Sequence, residues 1–487
     1  MTIHKPKRRT TFAVILIALL IAPFATYGRE RDIPRGLGAL FAAEFEGKAV
    51  AAAPISSFPV PQHPFLAADG TNSMHNDAYA TDAYKGPGPL GRDPVVTSSS
   101  VGLEECATLA FDRSGRMIGL CGDALGPELK QIDPKTLEIL ATHELPGRKL
   151  RSDAAPWEDL CGGAYFYMDH DGRAVVATTD RQIRVIAVSK EELRQERVYD
   201  LTSVVPSEDC LIALMPDWIG RVWFVTSNGR VGAVDPETGV PQVVTLPGER
   251  IANSVATDES GGLFVVSDHA LYRFSAESGA PKATWRVAYD RGTRHKPGQL
   301  SWGSGTTPTL FGNGMVAITD NAEPRMNVVV YNRHSGSFVC QEPVFKSGES
   351  ATDNSLIAIG NSLFVENNYG YRSPFTTLFA GTTTPGVTRV EVTKDGCETV
   401  WESEEIAPTC VPKASLATGL IYVYAKSPDS LLGAWYFTAI DARTGKTMFR
   451  VLTGTGIGWN NHYAAITLGP DGTAYIATLF GIVRIQG

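Results

Sequence analysis

Residues 439–450 read AIDARTGKTMFR. An apolar run ends at Asp441, the residues Thr444, Gly445 and Lys446 form a turn signal, and a second apolar run follows. Glycine adopts the left-handed conformation that many tight turns need, and short Asp and Thr side chains hydrogen-bond the turn backbone. The stretch therefore predicts two antiparallel strands joined by a tight turn, and it raises the question of whether the pattern repeats.

Internal repeats begin near residue 101. An apolar run, a Gly-containing turn and a second apolar run occur eight times, in DRSGRMIGLC, DHDGRAVVATT, DWIGRVWFVTS, DESGGLFVVSD, GNGMVAITD, GNSLFVEN, ATGLIYVYAK and GPDGTAYIATL. A third apolar run follows every copy, and a turn with a fourth run follows seven of them. The period of about 50 residues is typical of propellers and similar arrays.

Four short strands joined by tight turns form one antiparallel sheet, which cannot bury both of its faces alone. Such sheets pack face to face around an axis and form a β-propeller. The sequence thus predicts an all-β fold, an eight-bladed β-propeller of four-stranded antiparallel blades over residues 93–487. The last repeat has only three strands, so we expect Asp93–Ser99 to supply its fourth and to protect the final sheet edge.

The first 28 residues have the pattern of an export signal. A cationic start, KPKRR at residues 5–9, precedes the uninterrupted apolar run Phe12–Ala22. The run is short for a membrane span, so a cleaved signal is the first interpretation and an uncleaved anchor through residues 12–27 is the alternative. Both predict an extracytoplasmic location, periplasmic or secreted, with membrane contact only if the signal is not cleaved.

Residues 29–92 are rich in Ala, Pro, Gly and Ser, as in AVAAAPISSFPVPQHPF at residues 49–65. This composition rarely forms a core, and we expect a linker that ends in an ordered lead-in. Within the lead-in, His75 and Asp77 lie among Tyr and small polar residues, a pattern compatible with a ligand groove or with packing on a blade. The formal net charge of −8 and the lack of a basic stripe give no reason to expect nucleic acid as a partner.

The chain has seven cysteines, and none are spaced as CxxC, which argues against a zinc site. An exported protein can oxidise its cysteines. Cys106 and Cys121 flank one predicted turn symmetrically, so they are expected to face each other across a hairpin and to form a disulfide. Cys161 and Cys210 begin neighbouring blades and are the next candidate pair, although all four could instead be small core residues. The odd count leaves at least one thiol free or paired outside the chain.

One face of the predicted propeller gathers acidic and amide residues. The first strand of each blade begins near the axis on that face, and the turn between the second and third strands lies there too. Oxygen donors of this kind suit Ca²⁺, so we name Glu104, Glu208 and Asp353 as tentative calcium ligands. In the alternative interpretation, polar side chains at these positions only satisfy loop backbone.

The same face supplies the other candidate site residues. The ligand-binding candidates are Asn321, Asn354, Asn368, Tyr369 and Asn461. The catalytic candidates are His462, Glu104 and Glu208, although His462 also fits a capped structural histidine. Long turns on this face contribute aromatic residues for an apolar wall or a self-packed flap, namely Tyr369, Tyr371, Phe375 and Trp435.

The opening stretch resembles the repeat of quinoprotein-like propellers, whose consensus is roughly Ala-x-Asp-x-x-Thr-Gly-Lys-x-x-Trp. It matches at Ala439, Asp441, Thr444, Gly445 and Lys446, and Phe449 stands in place of the Trp. The resemblance implies an eight-bladed propeller. Quinoprotein dehydrogenases of this shape carry an adjacent pair of cysteines under pyrroloquinoline quinone (PQQ), and this chain has no such pair, so PQQ is not expected.

The functional hypothesis is therefore an exported propeller that binds a small ligand or a cation at its polar axial face. The alternative is an enzyme that uses the same face, either a quinoprotein-like oxidoreductase or a metal-assisted hydrolase or lactonase. Calcium is the only cofactor that the residues themselves suggest.

Overall fold

The computed structural model describes residues 31–123, 125–148, 155–162, 165–276 and 279–487. The predicted export segment, residues 1–28, lies outside them. The described residues form eight sheets, each built on four antiparallel strands, and they contain no α-helix. One sheet has two further strands, of which Ala83–Tyr84 is paired parallel. The predicted eight-bladed β-propeller is thus confirmed.

The strands of the first four blades are given from the axis outwards. Blade 1 consists of Glu105–Phe111, Met117–Gly122, Pro127–Ile132 and Ile139–Glu144. Blade 2 consists of Phe166–Met168, Arg173–Ala177, Gln182–Val188 and Leu193–Asp200. Blade 3 consists of Leu211–Pro216, Val222–Thr226, Arg230–Val234 and Pro241–Thr245. Blade 4 consists of Ala256–Thr257, Leu263–Val266, Ala270–Ser275 and Lys282–Ala288.

The other four blades complete the ring. Blade 5 consists of Thr309–Phe311, Met315–Thr319, Asn327–Asn332 and Phe338–Pro343. Blade 6 consists of Ile357–Ile359, Ser362–Glu366, Val387–Thr393 and Gly396–Ser403. Blade 7 consists of Lys413–Ser415, Leu420–Lys426, Ala434–Asp441 and Thr447–Thr455, with Ala83–Tyr84 added inside and Phe45–Gly47 outside. Blade 8 consists of Ile466–Leu468, Ala474–Thr478, Gly481–Gln486 and Val95–Ser99.

Short 3-10 helices connect some of these strands. They are Leu37–Leu40, Pro156–Glu158, Leu160–Gly162, Pro374–Thr377 and Ile457–Trp459. Across the described ranges, no helix has the length and hydropathy needed to span a bilayer.

The hydrophobic core lies between neighbouring blades. Inner strands such as Leu211–Pro216 are buried at every position, whereas the outermost strand Ile139–Glu144 alternates between half-buried and exposed side chains. A strand between two packed sheets meets apolar neighbours on both faces, while an outer strand keeps one face in water. This gradient explains why the inner runs of each repeat are continuously apolar.

The ring closes with strands from both ends of the chain. Val95–Ser99 pairs antiparallel with Gly481–Gln486, from Val95 opposite Gln486 to Ser99 opposite Ile482. The predicted closing strand is therefore confirmed. This pairing removes the exposed edge that a three-stranded last blade would have.

The turn in the opening stretch connects the third and fourth strands of blade 7 and packs against blade 6. The carboxylate oxygen Oδ1 of Asp441 accepts hydrogen bonds from the backbone N–H groups of Arg443 at 3.0 Å and Thr444 at 2.9 Å. Gly445 has a φ of +72°, and a Cβ there would lie 2.6 Å from Cδ2 of Trp401 in blade 6. The repeat motif is thus structural, because its glycine leaves room for an aromatic ring of the preceding blade.

Residues 71–84, which we call the hub plug, close one end of the axial channel. Backbone carbonyls of the plug accept hydrogen bonds from innermost-strand N–H groups of six blades. The acceptors and donors are Thr71 with Phe111, Asn72 with Met168, Ala78 with Thr257, Tyr79 with Leu310, Thr81 with Ala358, and Asp82 with Ala414. These bonds have N···O distances of 2.7–3.0 Å. The plug therefore satisfies strand edges that would otherwise face an empty channel.

The segment expected to be a linker is packed on the ring from residue 31 onwards. Phe45–Gly47 extends the outer edge of blade 7, and Ile33, Leu66 and Met74 are buried. The expectation differs from the structure because it rested on composition. The segment gains its order from hydrogen bonds to blade edges and not from an apolar period of its own.

Three disulfides are present. Cys106 and Cys121 are register partners in blade 1, and Cys161 and Cys210 join the approach to blade 2 to the start of blade 3. Both predicted pairs are confirmed. A third bond, between Cys340 and Cys397, links the outermost strands of blades 5 and 6, and Cys410 is a buried free thiol. Three disulfides are compatible with an extracytoplasmic location.

Candidate functional site

An axial cavity of about 440 Å³ lies on the face where the first strands begin. Met74 and His75 of the hub plug form its floor. Its walls are made by strand starts and loops of several blades. The wall residues used below are Glu105, Asp123, Arg148, Trp157, Asp159, Tyr165, Thr307, Asp353, Asn354, Ser355, Phe375, His462 and Tyr463.

Aromatic side chains form one side of the axial cavity. Trp157 and Phe375 meet edge to face with ring centroids 5.8 Å apart, and Tyr165 and Tyr463 line the same space. Trp157 belongs to the 3-10 helix before blade 2, and Phe375 belongs to the long loop of blade 6. The cavity is therefore enclosed by loops that the sequence places far apart.

The charged groups of the axial cavity are mainly acidic. Four carboxyl groups line its described part, those of Glu105, Asp123, Asp159 and Asp353, against one guanidinium, that of Arg148. Burial raises the pKa of Glu105 well above its usual range, and the charge of Arg148 offsets this only in part. Burial likewise raises the pKa of Asp353, and the backbone N–H of Leu300 opposes the change. A positive charge in the cavity would stabilise both carboxylates.

Two oxygen atoms at the cavity wall have no hydrogen-bond donor in the described part of the chain. They are Oδ1 of Asp353 and Oδ1 of Asn354, and both atoms are buried. Asn368 orients this pair, because its Oδ1 accepts from the Asp353 backbone N–H at 2.8 Å and from Asn354 Nδ2 at 3.1 Å. Buried acceptors without a donor are costly, so these two atoms are unsatisfied polar positions in the cavity wall.

The carboxyl group of Glu366 lies beneath the same pair. Its Oε1 accepts from Asn354 Nδ2 and, at 2.8 Å, from Asn368 Nδ2, while its Oε2 has no donor among the described residues. Burial raises the pKa of Glu366 well above its usual value. Asp353, Asn354 and Glu366 thus present oxygen atoms of the type that Ca²⁺ prefers. The described residues contain no group of three or more His, Cys, Asp or Glu side chains that could hold a metal ion.

A buried polar network lies at the cavity floor. His75 Nδ1 is 3.3 Å from both carboxylate oxygens of Asp82, and His75 Nε2 is 3.2 Å from the hydroxyl of Thr307. Asp82 also contacts Lys413 Nζ and accepts from the hydroxyl of Ser355 at 2.5 Å. Burial raises the pKa of Asp82, but the charges of Lys413 and His75 and their hydrogen bonds more than offset it. Its pKa therefore lies below its usual value.

His462 is held at both ring nitrogens. Nε2 is 3.0 Å from the carbonyl of Trp157, and Nδ1 is 3.0 Å from the hydroxyl of Tyr371, which also accepts from Asn460 Nδ2 at 3.1 Å. A carbonyl can only accept, so Nε2 carries the proton and Nδ1 accepts from Tyr371. Burial lowers the pKa of His462 to about 4. His462 therefore joins three loops at the cavity wall as a neutral imidazole.

The three tentative calcium ligands do not come together. Asp353 lines the axial cavity, but Glu104 pairs with Lys130 at 2.6 Å, and Glu208 is an exposed residue whose carboxylate accepts from Ser207. Its neighbour Asp209 is buried and pairs with Arg230 Nη1 at 2.6 Å. Neither glutamate belongs to the cavity lining, although Glu105, the neighbour of Glu104, does.

The ligand-binding candidates divide into two groups. Asn354 lines the axial cavity, and Asn368 holds it in place from behind. Asn321 instead donates to the carbonyls of Arg291 and Arg294, and Asn461 donates to the carbonyl of Ala464. Tyr369 and Trp435 are outside the cavity lining, and Trp435 is fully buried within blade 7.

Sequence reasoning missed Glu105, Arg148 and Glu366. Glu105 is adjacent to the residue that was named, and a register shift between Cys106 and Thr108 interrupts the alternation of the strand. A bulge moves side chains to the other face, which explains the error of one position. Glu366 ends the second strand of blade 6, so extending the turn positions by one residue would have found it.

Comparisons with known proteins agree with this architecture. No family model matches the chain. A relative from Archaeoglobus fulgidus, described as an uncharacterized protein, is 29% identical over 326 residues, which is 59% of this chain and 63% of the relative. The chain therefore matches less than two thirds of that relative's length.

Solved structures agree with the fold. The quinohemoprotein alcohol dehydrogenase of Comamonas testosteroni aligns with a TM-score of 0.57 and 11% identity, over 87% of this chain and 80% of that one. A europium-containing methanol dehydrogenase aligns with a TM-score of 0.51 and 13% identity, over 83% of this chain and 88% of that one. At such low identity the similarity concerns the fold. The chain has the architecture of a quinoprotein-like eight-bladed propeller, which confirms the resemblance.

Proposed function

We propose that this protein binds a small, positively charged organic molecule in the axial cavity. The observation that carries the proposal is the pair of buried oxygens on Asp353 and Asn354 that lack a donor, beside aromatic walls. An ammonium group is both a donor and a cation, so it would satisfy these oxygens and stabilise the carboxylate of Asp353. Aromatic faces such as those of Trp157 and Tyr463 attract organic cations.

The electrostatics of the axial cavity favour a cation over an anion. Its described lining has four carboxyl groups and one guanidinium, so a ligand with carboxylates would find a single cationic side chain to pair with. PQQ is a tricarboxylate, so its charge does not fit this lining. A calcium ion would fit the donor chemistry of Asp353, Asn354 and Glu366, and it would neutralise carboxylates in the same way as an ammonium group. Calcium is therefore the main competitor for the same oxygens.

n-Butylammonium and butan-1-ol, its uncharged counterpart of nearly equal size, test the proposal directly, because both can donate a hydrogen bond and only the ammonium carries a charge. We expect calorimetry to show n-butylammonium binding at least about tenfold tighter than butan-1-ol, because a close charge pair with Asp353 is worth more than that difference. The Asp353→Asn variant should lose the preference, and Glu208→Gln, which alters an exposed carboxylate, should keep it. Equal binding of both compounds, or no binding of either, contradicts the proposal.

Calcium is tested in the same preparation. If the oxygens of Asp353, Asn354 and Glu366 hold Ca²⁺, the ion should raise the melting temperature of the wild type and compete with n-butylammonium. A stabilisation by Ca²⁺ that disappears in Asp353→Asn, without any binding of n-butylammonium, would assign the site to the ion instead of the organic cation.

A general-base reaction is the second candidate function, and the floor network favours it. The ionised Asp82 can hold His75 with Nδ1 protonated, which leaves Nε2 to accept a proton from the Thr307 hydroxyl. This is the order of orienting acid, base and nucleophile found in hydrolases. An ester would be cleaved by attack of the Thr307 oxygen on its carbonyl carbon, and the C–O bond to the alcohol would break as His75 Nε2 passes the proton of Thr307 to the leaving alcohol. Water would then hydrolyse the acyl–Thr307 ester, which releases the acid and returns a proton to the Thr307 oxygen.

Hydrolysis of p-nitrophenyl acetate measures this second candidate. The wild type should exceed the background rate, Thr307→Val should fall to background, and His75→Gln should do the same while it stays folded by circular dichroism. A rate that is unchanged in Thr307→Val excludes Thr307 as the nucleophile.

A further inference from the structure

Large apolar side chains project into solvent along one part of the cavity face. Leu37, Leu40 and Phe41 are 77%, 78% and 84% exposed, and Leu431 is 78% exposed. Leu432 and Phe379 are also exposed to a substantial extent. We call these six residues the apolar ridge. They belong to the first 3-10 helix and the residue after it, the second turn of blade 7 and the long loop of blade 6.

The members of the apolar ridge are neighbours in space. Gly38 lies so close to Leu432 that a Cβ on the glycine would be 2.6 Å from the Cβ of the leucine. A Cβ on Gly433 would be 3.0 Å from the carbonyl oxygen of Phe379. The ridge therefore runs without a break from the N-terminal 3-10 helix across blade 7 to blade 6. Contiguous exposed apolar surface of this kind marks an interaction site.

The position of the ridge in the chain indicates its partner. The apolar run Phe12–Ala22, with the cations KPKRR before it, has the composition of a segment that enters a membrane during export. Residues 23–30 connect it to Arg31, whose carbonyl accepts a hydrogen bond from the Ser100 backbone N–H of the ring, and they reach at most about 30 Å even when fully extended. The ridge begins six residues after Arg31, so it stays close to the bilayer for as long as the apolar segment is kept.

We infer that the apolar ridge docks onto the surface of a lipid bilayer. Leucine and phenylalanine side chains partition into the boundary between headgroups and acyl chains, and a peripheral protein needs only a shallow apolar surface there. The ridge side chains come from turns and loop tips, so they can enter this layer while the strand edges of the ring stay paired.

The docking orients the axial cavity. Phe375 lines the cavity and lies four residues before Phe379 of the ridge, in the same loop. Docking therefore places the cavity beside the bilayer, where a cationic amphiphile is concentrated. This last step rests on the proposed function, whereas the docking itself does not.

An environment-sensitive fluorophore tests the docking. The protein used is the form that the producing cell makes from the full chain, with its N-terminal segment cleaved or kept by that cell. The label is attached at Leu431→Cys, and in a matched control at Ile219→Cys, which is 70% exposed in the first turn of blade 3. Vesicles of phosphatidylethanolamine and phosphatidylglycerol should shift the Leu431 label to the blue, and doxyl lipids should quench it. The control label should respond to neither.

The variant Leu37→Ser/Leu40→Ser/Phe41→Ser provides the second arm. It should weaken vesicle binding of the ridge, read from the Leu431 label, by about tenfold or more, because three apolar side chains leave the interface. An equal response of both labels contradicts the inference. A blue shift without vesicles contradicts it too, because the ridge would then be covered by residues 1–30 or by a second copy. Binding of n-butylammonium in the axial cavity is measured separately from these readouts, so a failure of the docking and a failure of the proposed function can be told apart.

Discussion

Lys413 donates a hydrogen bond from Nζ to Oδ1 of Asp82, a residue 331 positions earlier in the chain, and both side chains are fully buried. Asp82 belongs to the hub plug, and Lys413 lies in the innermost strand of blade 7. The ion pair therefore fixes the N-terminal segment to the axis of a ring built from the rest of the chain. Its anchoring position also sets the floor of the axial cavity, because Asp82 contacts His75.

Loss of the lysine charge should destabilise the protein strongly. Lys413→Met leaves the carboxylate of Asp82 buried without its cation, and breaking a buried pair in this way costs about 3–5 kcal/mol. Urea denaturation followed by circular dichroism measures the change in unfolding free energy. Lys346→Met, which removes the cation from the exposed pair with Glu349, should change it by less than about 1 kcal/mol. Similar changes in the unfolding free energy of the two variants would show that the buried pair of Lys413 and Asp82 contributes no more to stability than an exposed pair.

The hub plug shows where sequence reasoning stopped. The blades repeat an apolar pattern with a turn at fixed intervals, so their number and the closing strand Val95–Ser99 could be predicted. The plug has no such period, because its order comes from carbonyls that accept from the inner strands of other blades. Only His75 and Asp77 gave a signal there, as polar residues among tyrosines. Which of them faces a cavity depends on the ring being assembled.

The candidate site was predictable as a face but not residue by residue. Asp353 and Asn354 were found because they precede the first strand of blade 6, where the chain comes close to the axis. Glu104 was chosen instead of Glu105, since a bulge in the first strand of blade 1 is invisible in the sequence. Arg148 lies in a connection between blades, where no periodic pattern assigns a side chain to a face.

The disulfide between Cys340 and Cys397 should stabilise the ring at the boundary of blades 5 and 6. It closes a loop with a sequence separation of 57, and removing such a crosslink costs about 2–4 kcal/mol. We expect Cys340→Ala/Cys397→Ala to lower the melting temperature. Dithiothreitol should then lower the melting temperature of this variant by less than it lowers that of the wild type. Cys410→Ala, which removes a free thiol, should leave the dithiothreitol effect as large as in the wild type. An unchanged melting temperature in the double variant would contradict the prediction.

The packing of Trp401 on Gly445 should make that glycine hard to replace. Gly445→Ala adds a Cβ at a left-handed φ of +72° and 2.6 Å from the tryptophan ring. Gly248 is the matched control, because it has a φ of +76° and no atom within 4 Å of the added Cβ. The control should lose about 1–2 kcal/mol from backbone strain alone. Gly445→Ala should lose about 1–3 kcal/mol more from overpacking, and denaturant titration measures the difference. Equal losses of stability in the two variants would mean that the indole ring of Trp401 moves aside without cost.

His462 should make stability fall as the solution becomes acidic. The pKa of the native side chain is about 4, because burial disfavours the imidazolium, and the pKa in the unfolded chain is near the usual histidine value of 6.5. Below the unfolded value the unfolded state binds a proton that the native state does not, so the stabilisation present above pH 6.5 is lost as pH falls towards 4. His462→Gln should flatten this part of the curve of unfolding free energy against pH, measured by urea titration. His295→Gln, at an exposed position, should leave the curve as in the wild type. If His462→Gln keeps the full acid slope, the neutral histidine between Trp157 and Tyr371 is not the group that titrates.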